Sequence, residues 1–377
     1  SGSVGVNATS GFSIHTLTSG REIAVGTGAT GACMVLNDLS SALFNTPHLR
    51  IGNDNTTGSY GAYSGTIAVG GSGISRPTLQ LGLTTAGAIS QTAPVAVSSL
   101  GLISGSGQNI VLMDSTNSVA SLAGKSGGQF SFAGTGSLAL ASMTGGVPAV
   151  TLNGITASGA VTLISYGSIT DSVASVPAVV APSVALSAYS GIGSVSTPLK
   201  TQVSSLSATN SMTGDIQVIN TGALTTGAVT NTGTTGKVSI TTKSPLTIGA
   251  PLTAGGDIAL TAGASGTGVL TDTLTINAAV TSSGGNIALS AGNGIVENAA
   301  VTPGSGKTVV RTASLNPPPA CSSGYAWNGT ACAPTLSTCT TDPSLPGCSG
   351  ILPGLATCIS VPATPGCSAV LPSIGAC

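Results

Sequence analysis

The sequence predicts an all-β fold: a β-solenoid followed by a Cys/Pro-rich, disulfide-stapled tail. Three observations predict it. One phrase occurs twice, as Gly255-Gly256-Asp257-Ile258-Ala259-Leu260-Thr261-Ala262-Gly263 and as Gly284-Gly285-Asn286-Ile287-Ala288-Leu289-Ser290-Ala291-Gly292, preceded by Leu246-Thr247-Ile248 and Leu274-Thr275-Ile276. Weaker copies recur at a near-constant period: the leading glycines at 214, 236, 256, 285 and 306 are 22, 20, 29 and 21 residues apart. Finally, seven of the eight cysteines fall after residue 320.

Each phrase reads as two short strands joined at a glycine corner. Ile258 and Leu260 alternate with Asp257, Ala259 and Thr261, a period of two that turns one face inward. The Gly pair is expected to supply backbone angles that other residues resist. One unit cannot bury its apolar face alone, whereas stacked copies can. Ile216, Val218, Val238, Ile240, Ile258, Leu260, Ile287 and Leu289 are therefore expected to stack in inward columns. Asp215, Lys237 and Asp257 share the slot after the leading glycine, so they are expected to form an outward ladder of alternating charge, about 4.8 Å per step. The step of 29 residues implies an insertion in one repeat.

Composition narrows the function classes. Only 5% of residues are charged and net charge is −1, so nothing points to nucleic acid or an anionic membrane surface. Glycine numbers 55, but evenly spaced Ile, Val and Leu argue against disorder. The 45 uncharged residues between Lys125 and Asp171 are punctuated by Gly, Ser and Thr, so no transmembrane segment is expected. Ser1 reads as a processed or truncated start.

In chain order, residues 1–64 read as an irregular β segment or cap, with a clean alternation over Gly11–Leu17, a short helical turn over Asp38–Phe44 and a strand from Leu49. The solenoid grammar runs over residues 65–315; about 12 repeats at 4.8 Å would span on the order of 60 Å. Asn316-Pro317-Pro318-Pro319 ends it, because proline cannot donate to a ladder. Residues 316–377 carry their own repeat: the run from Cys339 to Pro353 recurs 19 residues later as Cys358 to Pro372. Few hydrophobes and many Pro-Gly-Cys turns leave disulfides as the expected substitute for a core, in an oxidising, extracellular setting. The candidates are Cys33, Cys321, Cys332, Cys339, Cys348, Cys358, Cys367 and Cys377. Because seven is odd, one tail cysteine stays free, pairs with another copy, or bonds Cys33; a Cys33–Cys377 bond between neighbouring subunits is the expectation. Zinc would need Cys-x-x-Cys or histidine partners, which are missing.

The Gly-Gly-Asp/Asn-Ile-Ala-Leu corners and Leu-Thr-Ile strands resemble filamentous haemagglutinin-type adhesins, β-strand-repeat surface proteins of Gram-negative bacteria. The resemblance covers about residues 45–312. It implies a right-handed parallel β-helix, secretion, and a role in adhesion or biofilm matrix. An amino-terminal secretion domain of the family is not recognisable here.

Enzymes on β-helices need clustered carboxylates. The ten acids are scattered, and His15 and His48 are the only histidines. No catalytic residue, metal or cofactor is expected, and a polysaccharide lyase or hydrolase stands as the rival outside binding. Tyr325 and Trp327 either pack as a small core on a disulfide or stack on sugar rings. The function expected is a structural or adhesive protein at the cell surface or in extracellular fibres. Its partner is itself, head to tail. A host or matrix polysaccharide bound by a monomeric adhesin is the alternative.

Overall fold

The computed structural model describes residues 6–7, 11–14, 20–29, 34–36, 39, 43–52, 65–145, 150–263, 272–313, 325–327, 332–335 and 338–339. The chain divides into two units, Ser1–Ser314 and Leu315–Cys377.

The first unit is all-β, with two sheets of 16 strands each, paired almost throughout in parallel. From residue 67 onward the chain passes from one sheet to the other and back, each passage adding one coil, an arrangement consistent with a parallel β-helix. The first sheet runs from Phe12–Ile14 through Ile216–Asn220, Val238–Thr242, Ile258–Ala262 and Ile287–Ala291 to Val309–Ala313. The second includes Ile67–Val69, Ser205–Asn210, Leu224–Asn231, Leu246–Ile248 and Thr273–Ile276.

Strand register explains the repeats. Ile216, Val238, Ile258, Ile287 and Val309 are successive ladder partners, as are Val218, Ile240, Leu260, Leu289 and Arg311. All eight residues expected inward are at most 1% exposed. Opposite them Leu224, Leu246 and Leu274 stack, and the two sets share one continuous core. Each such side chain contributes about 1.5–3 kcal/mol by leaving water.

The glycine corners have a different cause from the one expected. None of Gly255, Gly256, Gly284 and Gly285 has a positive φ. What excludes a side chain is the neighbouring coil: a Cβ on Gly285 would lie 2.3 Å from the carbonyl carbon of Gly256, and one on Gly256 would lie 2.4 Å from Thr235 O. Gly214 is the case where angle and space both matter, with φ +81° and a would-be Cβ 2.5 Å from Ser190 O.

The amino-terminal segment pairs into the same two sheets, irregularly. Ile23–Val25 lies between Ile67–Val69 and Met34–Leu36, so the later strand is the outer one. The strand expected from Leu49 spans His48–Gly52. Of the helical turn expected over Asp38–Phe44, Leu43 is in a turn and Phe44 begins a strand; most of the rest lies outside the described residues. The residues added by the long repeat step fall largely at 264–271, also outside them.

Ile258→Asp places an unpaired carboxylate between Val238 and Ile287. The expected outcome is a loss of several kcal/mol in denaturant unfolding; an unchanged unfolding midpoint would show that Ile258 is not a core residue.

Candidate functional site

Three features of the first unit stand apart from the uniform stack: the slot after each leading glycine, a set of excursions from the first sheet, and the two ends of the core.

The slot holds Asp215, Lys237, Asp257, Asn286 and Thr308 on successive coils, each one residue before a laddered core position. The Lys237 ammonium lies 3.1 Å from the Asp257 carboxylate. Asp215 meets Lys237 differently: its Oδ1 accepts the Lys237 backbone N–H at 2.9 Å. The same bond recurs above, where Asp257 Oδ1 accepts from Asn286 N at 2.9 Å and Asn286 Oδ1 accepts from Thr308 N at 3.0 Å. In the second sheet Asn109 Oδ1 accepts from Gln129 N at 2.8 Å. The slot is thus a ladder of Asx oxygens on corner amides, with one ion pair superimposed. The bond from Asn286, then the Lys237 ammonium, hold the Asp257 carboxyl below the ordinary aspartate range.

Buried asparagines hold the slot in place. Asn210 and Asn231 are ladder partners, and both are almost wholly buried. Asn210 Nδ2 donates to Thr213 O at 2.8 Å and to Asn231 Oδ1 at 3.1 Å, and Asn231 Nδ2 donates to Gly214 O and Lys237 O, each at 3.0 Å. Gly236 is glycine because the Asn231 carboxamide fills the space of its Cβ, 2.4 Å away. At another corner, Asn220 Oδ1 accepts from Val203 N and Thr201 Oγ1, each at 2.9 Å. Sequence reasoning passed over these residues, although Asn-Thr-Gly recurs at 220–222 and 231–233.

Three consecutive coils interrupt the first sheet. Leu138–Gly145 turns back as an antiparallel hairpin with Val150–Asn153 before the sheet resumes at Ile155. The next coil leaves after Ile169–Ser172 and resumes at Val179. In the third, Ile192 and Leu199 pair with Ile216 and Val218, so Gly193–Pro198 replaces the single position held by Gln217. The hairpin packs on the outer face of the sheet: a Cβ on Gly101 would meet Leu152 and Met143 at 3.5 and 3.6 Å. The second excursion is tied by Asp171, whose side chain is 2% exposed. Its Oδ1 accepts from Val173 N at 2.8 Å and its Oδ2 from Lys200 N at 3.1 Å, while the Lys200 ammonium lies 3.5 Å away and donates to Ala174 O at 2.9 Å. Gly145-Gly146-Val147-Pro148 between apolar runs was a hairpin signal that sequence reasoning did not use.

Among the described residues, Phe12–Ile14 and Met34–Leu36 are terminal strands at one end, Val309–Ala313 and Gly294–Glu297 at the other. There the core is only partly covered: Phe12, Ile14, Met34 and Leu36 at one end, Ile295, Val301 and Val309 at the other, are half-buried against it. In the last coil Arg311 follows Leu289 and Glu297 follows Ile276 in the ladders. They form a two-bond ion pair, Arg311 Nη2 to Glu297 Oε2 at 2.8 Å and Nε to Oε1, joining the two sheets. The bonds from Arg311 hold the Glu297 carboxyl below its ordinary range.

In the second unit Tyr325–Trp327 pairs antiparallel with Cys332–Pro334, opposing Trp327 to Cys332. Cys339 is buried and disulfide-bonded. Cys33, Cys321, Cys348, Cys358, Cys367 and Cys377 lie outside the described residues. Among the described residues no helix is long and apolar enough to cross a membrane, and no three His, Cys, Asp or Glu side chains are grouped to hold a metal. No known protein family, curated protein or solved structure matches the chain.

Two substitutions separate the amide bond from the charge in the slot. Asp257→Asn keeps the acceptor, as Asn286 does, and is expected to change stability by less than about 0.5 kcal/mol, because exposed ion pairs contribute little. Asp257→Ala removes the acceptor and is expected to cost about 1 kcal/mol in urea unfolding. Equal losses would show that the ion pair matters more. In the last described coil, Glu297 has a depressed carboxyl, so its contribution is present above the unfolded-state value and is lost as pH falls through the lower folded-state value. Amide exchange at Val309–Ala313, corrected for the intrinsic pH dependence, is expected to accelerate as pH drops below the ordinary glutamate value of 4.5. In Glu297→Gln this acceleration should vanish.

Proposed function

We propose that the chain is a secreted structural protein that builds extracellular or surface-attached fibres by head-to-tail association. In this reading the two parallel sheets close as a right-handed β-helix, the hand that parallel crossovers take almost without exception. The observation that carries the reading is the state of the two ends. Among the described residues each ends in terminal strands, whose outer hydrogen-bonding edges would template another chain, beside half-buried core residues. The two ends differ, so their contact is heterologous, and a heterologous contact that does not close into a ring produces a filament. Low charge and near-zero net charge favour such association.

The likeness of the repeated corners to filamentous haemagglutinin-type adhesins supports a place at the cell surface and a role in attachment or biofilm matrix. The tail, with its odd number of cysteines and a disulfide at Cys339, would lock neighbours covalently through Cys33 of one subunit and Cys377 of the next.

A second reading, a monomeric surface adhesin, is favoured by the Arg311–Glu297 pair. Inward-pointing charges at a sheet end blunt it against addition of further strands.

Negative-stain microscopy with light scattering distinguishes the two. Filaments of regular width are expected, reduced to single particles by Ile14→Lys, which charges one end of the core. Single particles from the unmodified chain at every concentration would favour the adhesin. Non-reducing electrophoresis is expected to show a ladder that collapses with reductant and is missing in Cys33→Ser; a clean monomer band from intact fibres would exclude the cross-link.

A further inference from the structure

Exposed apolar side chains are concentrated in one part of the first unit. Of the ten large hydrophobic residues exposed among the described residues, five lie between 166 and 212: Tyr166, Val176, Tyr189, Val195 and Met212. Two of the chain's five tyrosines are among them, 58% and 44% exposed. Their position is set by the ladder. Ser165 pairs with Ala188, so Tyr166 and Tyr189 leave their strands at the same corner of adjacent coils, about 4.8 Å apart along the stack. Both are anchored through the backbone, Tyr166 N to Gly134 O at 3.0 Å and Tyr189 N to Gly167 O at 2.9 Å. On the next coil Ala188 pairs with Asn210, so the equivalent position is Ser211; Met212 follows it, its N–H donating to Tyr189 O at 3.1 Å.

The residue after Tyr189 opens a shallow hollow of mixed character. Ser190, Gly191 and Gly214 belong to stacked corners, Gly193, Ser194, Val195 and Ser196 to the Gly193–Pro198 excursion, and Asp215 completes the lining. The excursion is ordered by its own hydroxyls: Ser194 N donates to Thr197 O at 3.0 Å, Thr197 N to Ser194 Oγ at 3.0 Å, and the two hydroxyls lie 2.8 Å apart. Asp215 spends Oδ1 on the Lys237 amide, and Oδ2 has Gln217 Nε2 at 3.4 Å. A carboxylate accepts about four hydrogen bonds, so capacity remains.

We propose that this corner is a binding site for a neutral polysaccharide lying along the stack. A pyranose ring has an apolar C–H face and a rim of hydroxyls. Exposed tyrosines offer a matching flat surface that is apolar on its face and polar at its tip, and the hollow offers serine hydroxyls and a carboxylate to the rim. Two tyrosines on adjacent coils give a step close to the length of one sugar in an extended chain. Charge selects a neutral polymer. Between residues 166 and 212 the charged groups are Asp171 and Lys200, which are paired with each other; Asp215 in the hollow repels an acidic chain, and the cation on the next coil, Lys237, is paired with Asp257. The site differs from the Tyr325–Trp327 candidate in the tail. It does not depend on the subunits polymerising, so filament formation and glycan binding can fail independently.

The test is native affinity electrophoresis of the 377-residue chain through gels containing hydroxyethyl cellulose or galactomannan, with alginate as the acidic control. Retardation by a neutral polymer and not by alginate is expected. Tyr166→Ala/Tyr189→Ala is expected to weaken it about tenfold, the effect of losing well-used aromatic anchors. Both rings are exposed, so the unfolding midpoint should stay where it is; Trp327→Ala should leave the retardation unchanged. The proposal is overturned if neither neutral polymer retards the chain, if the double variant binds as tightly as the parent, if Trp327→Ala abolishes the effect, or if the double variant loses self-association instead of glycan binding.

Discussion

The parallel ladder is the constraint from which everything else follows. Each coil takes its backbone partners from the coils on either side, at a spacing of about 4.8 Å. At that distance, whatever one coil places at a position, the next must match or accommodate. Columns such as Ile216, Val238, Ile258 and Ile287 are the consequence inside. At the corners the consequence is glycine, because a Cβ there would enter the backbone of the next coil. Repetition in the sequence is the imprint of repetition in the environment.

A coil must also turn, and turning frees backbone groups from the ladder. The protein answers with buried asparagine. Asn210, Asn220 and Asn231 each place both ends of a carboxamide on corner amides and carbonyls that would otherwise lack partners in a low-dielectric interior. The outer Asx ladder at Asp215, Asp257 and Asn286 performs the same task on the solvent side. Charge is secondary there, which is why aspartate and asparagine share the slot and why so weakly charged a chain can use it.

Uniformity is broken in two places, and they give the chain its individuality. The excursions after Ala141, Ser172 and Ile192 put loops, an ion pair between buried Asp171 and partly exposed Lys200, and exposed side chains on an otherwise plain surface. Loops on a rigid scaffold are where recognition usually sits. The ends of the core are the other break: among the described residues the last apolar side chains are half-buried there, and the Arg311–Glu297 pair joins the two sheets in the last described coil.

The sequence by itself determined the two-strand repeat and the inward parity of Ile258, Leu260, Ile287 and Leu289. These are legible because a period of two and a fixed repeat length are properties of the chain, independent of what packs against it. Tertiary structure alone decided the rest. The role of Gly255–Gly256 rests on a neighbouring coil some 20 residues away. Asp215 and Asp257 act mainly through amides of the next coil, which no local spacing reveals. Tyr166 and Tyr189, 23 residues apart, become neighbours only through the register of Ser165 with Ala188. Local alternation is written in adjacent residues, whereas contact between coils depends on loop lengths that shift the register from one repeat to the next.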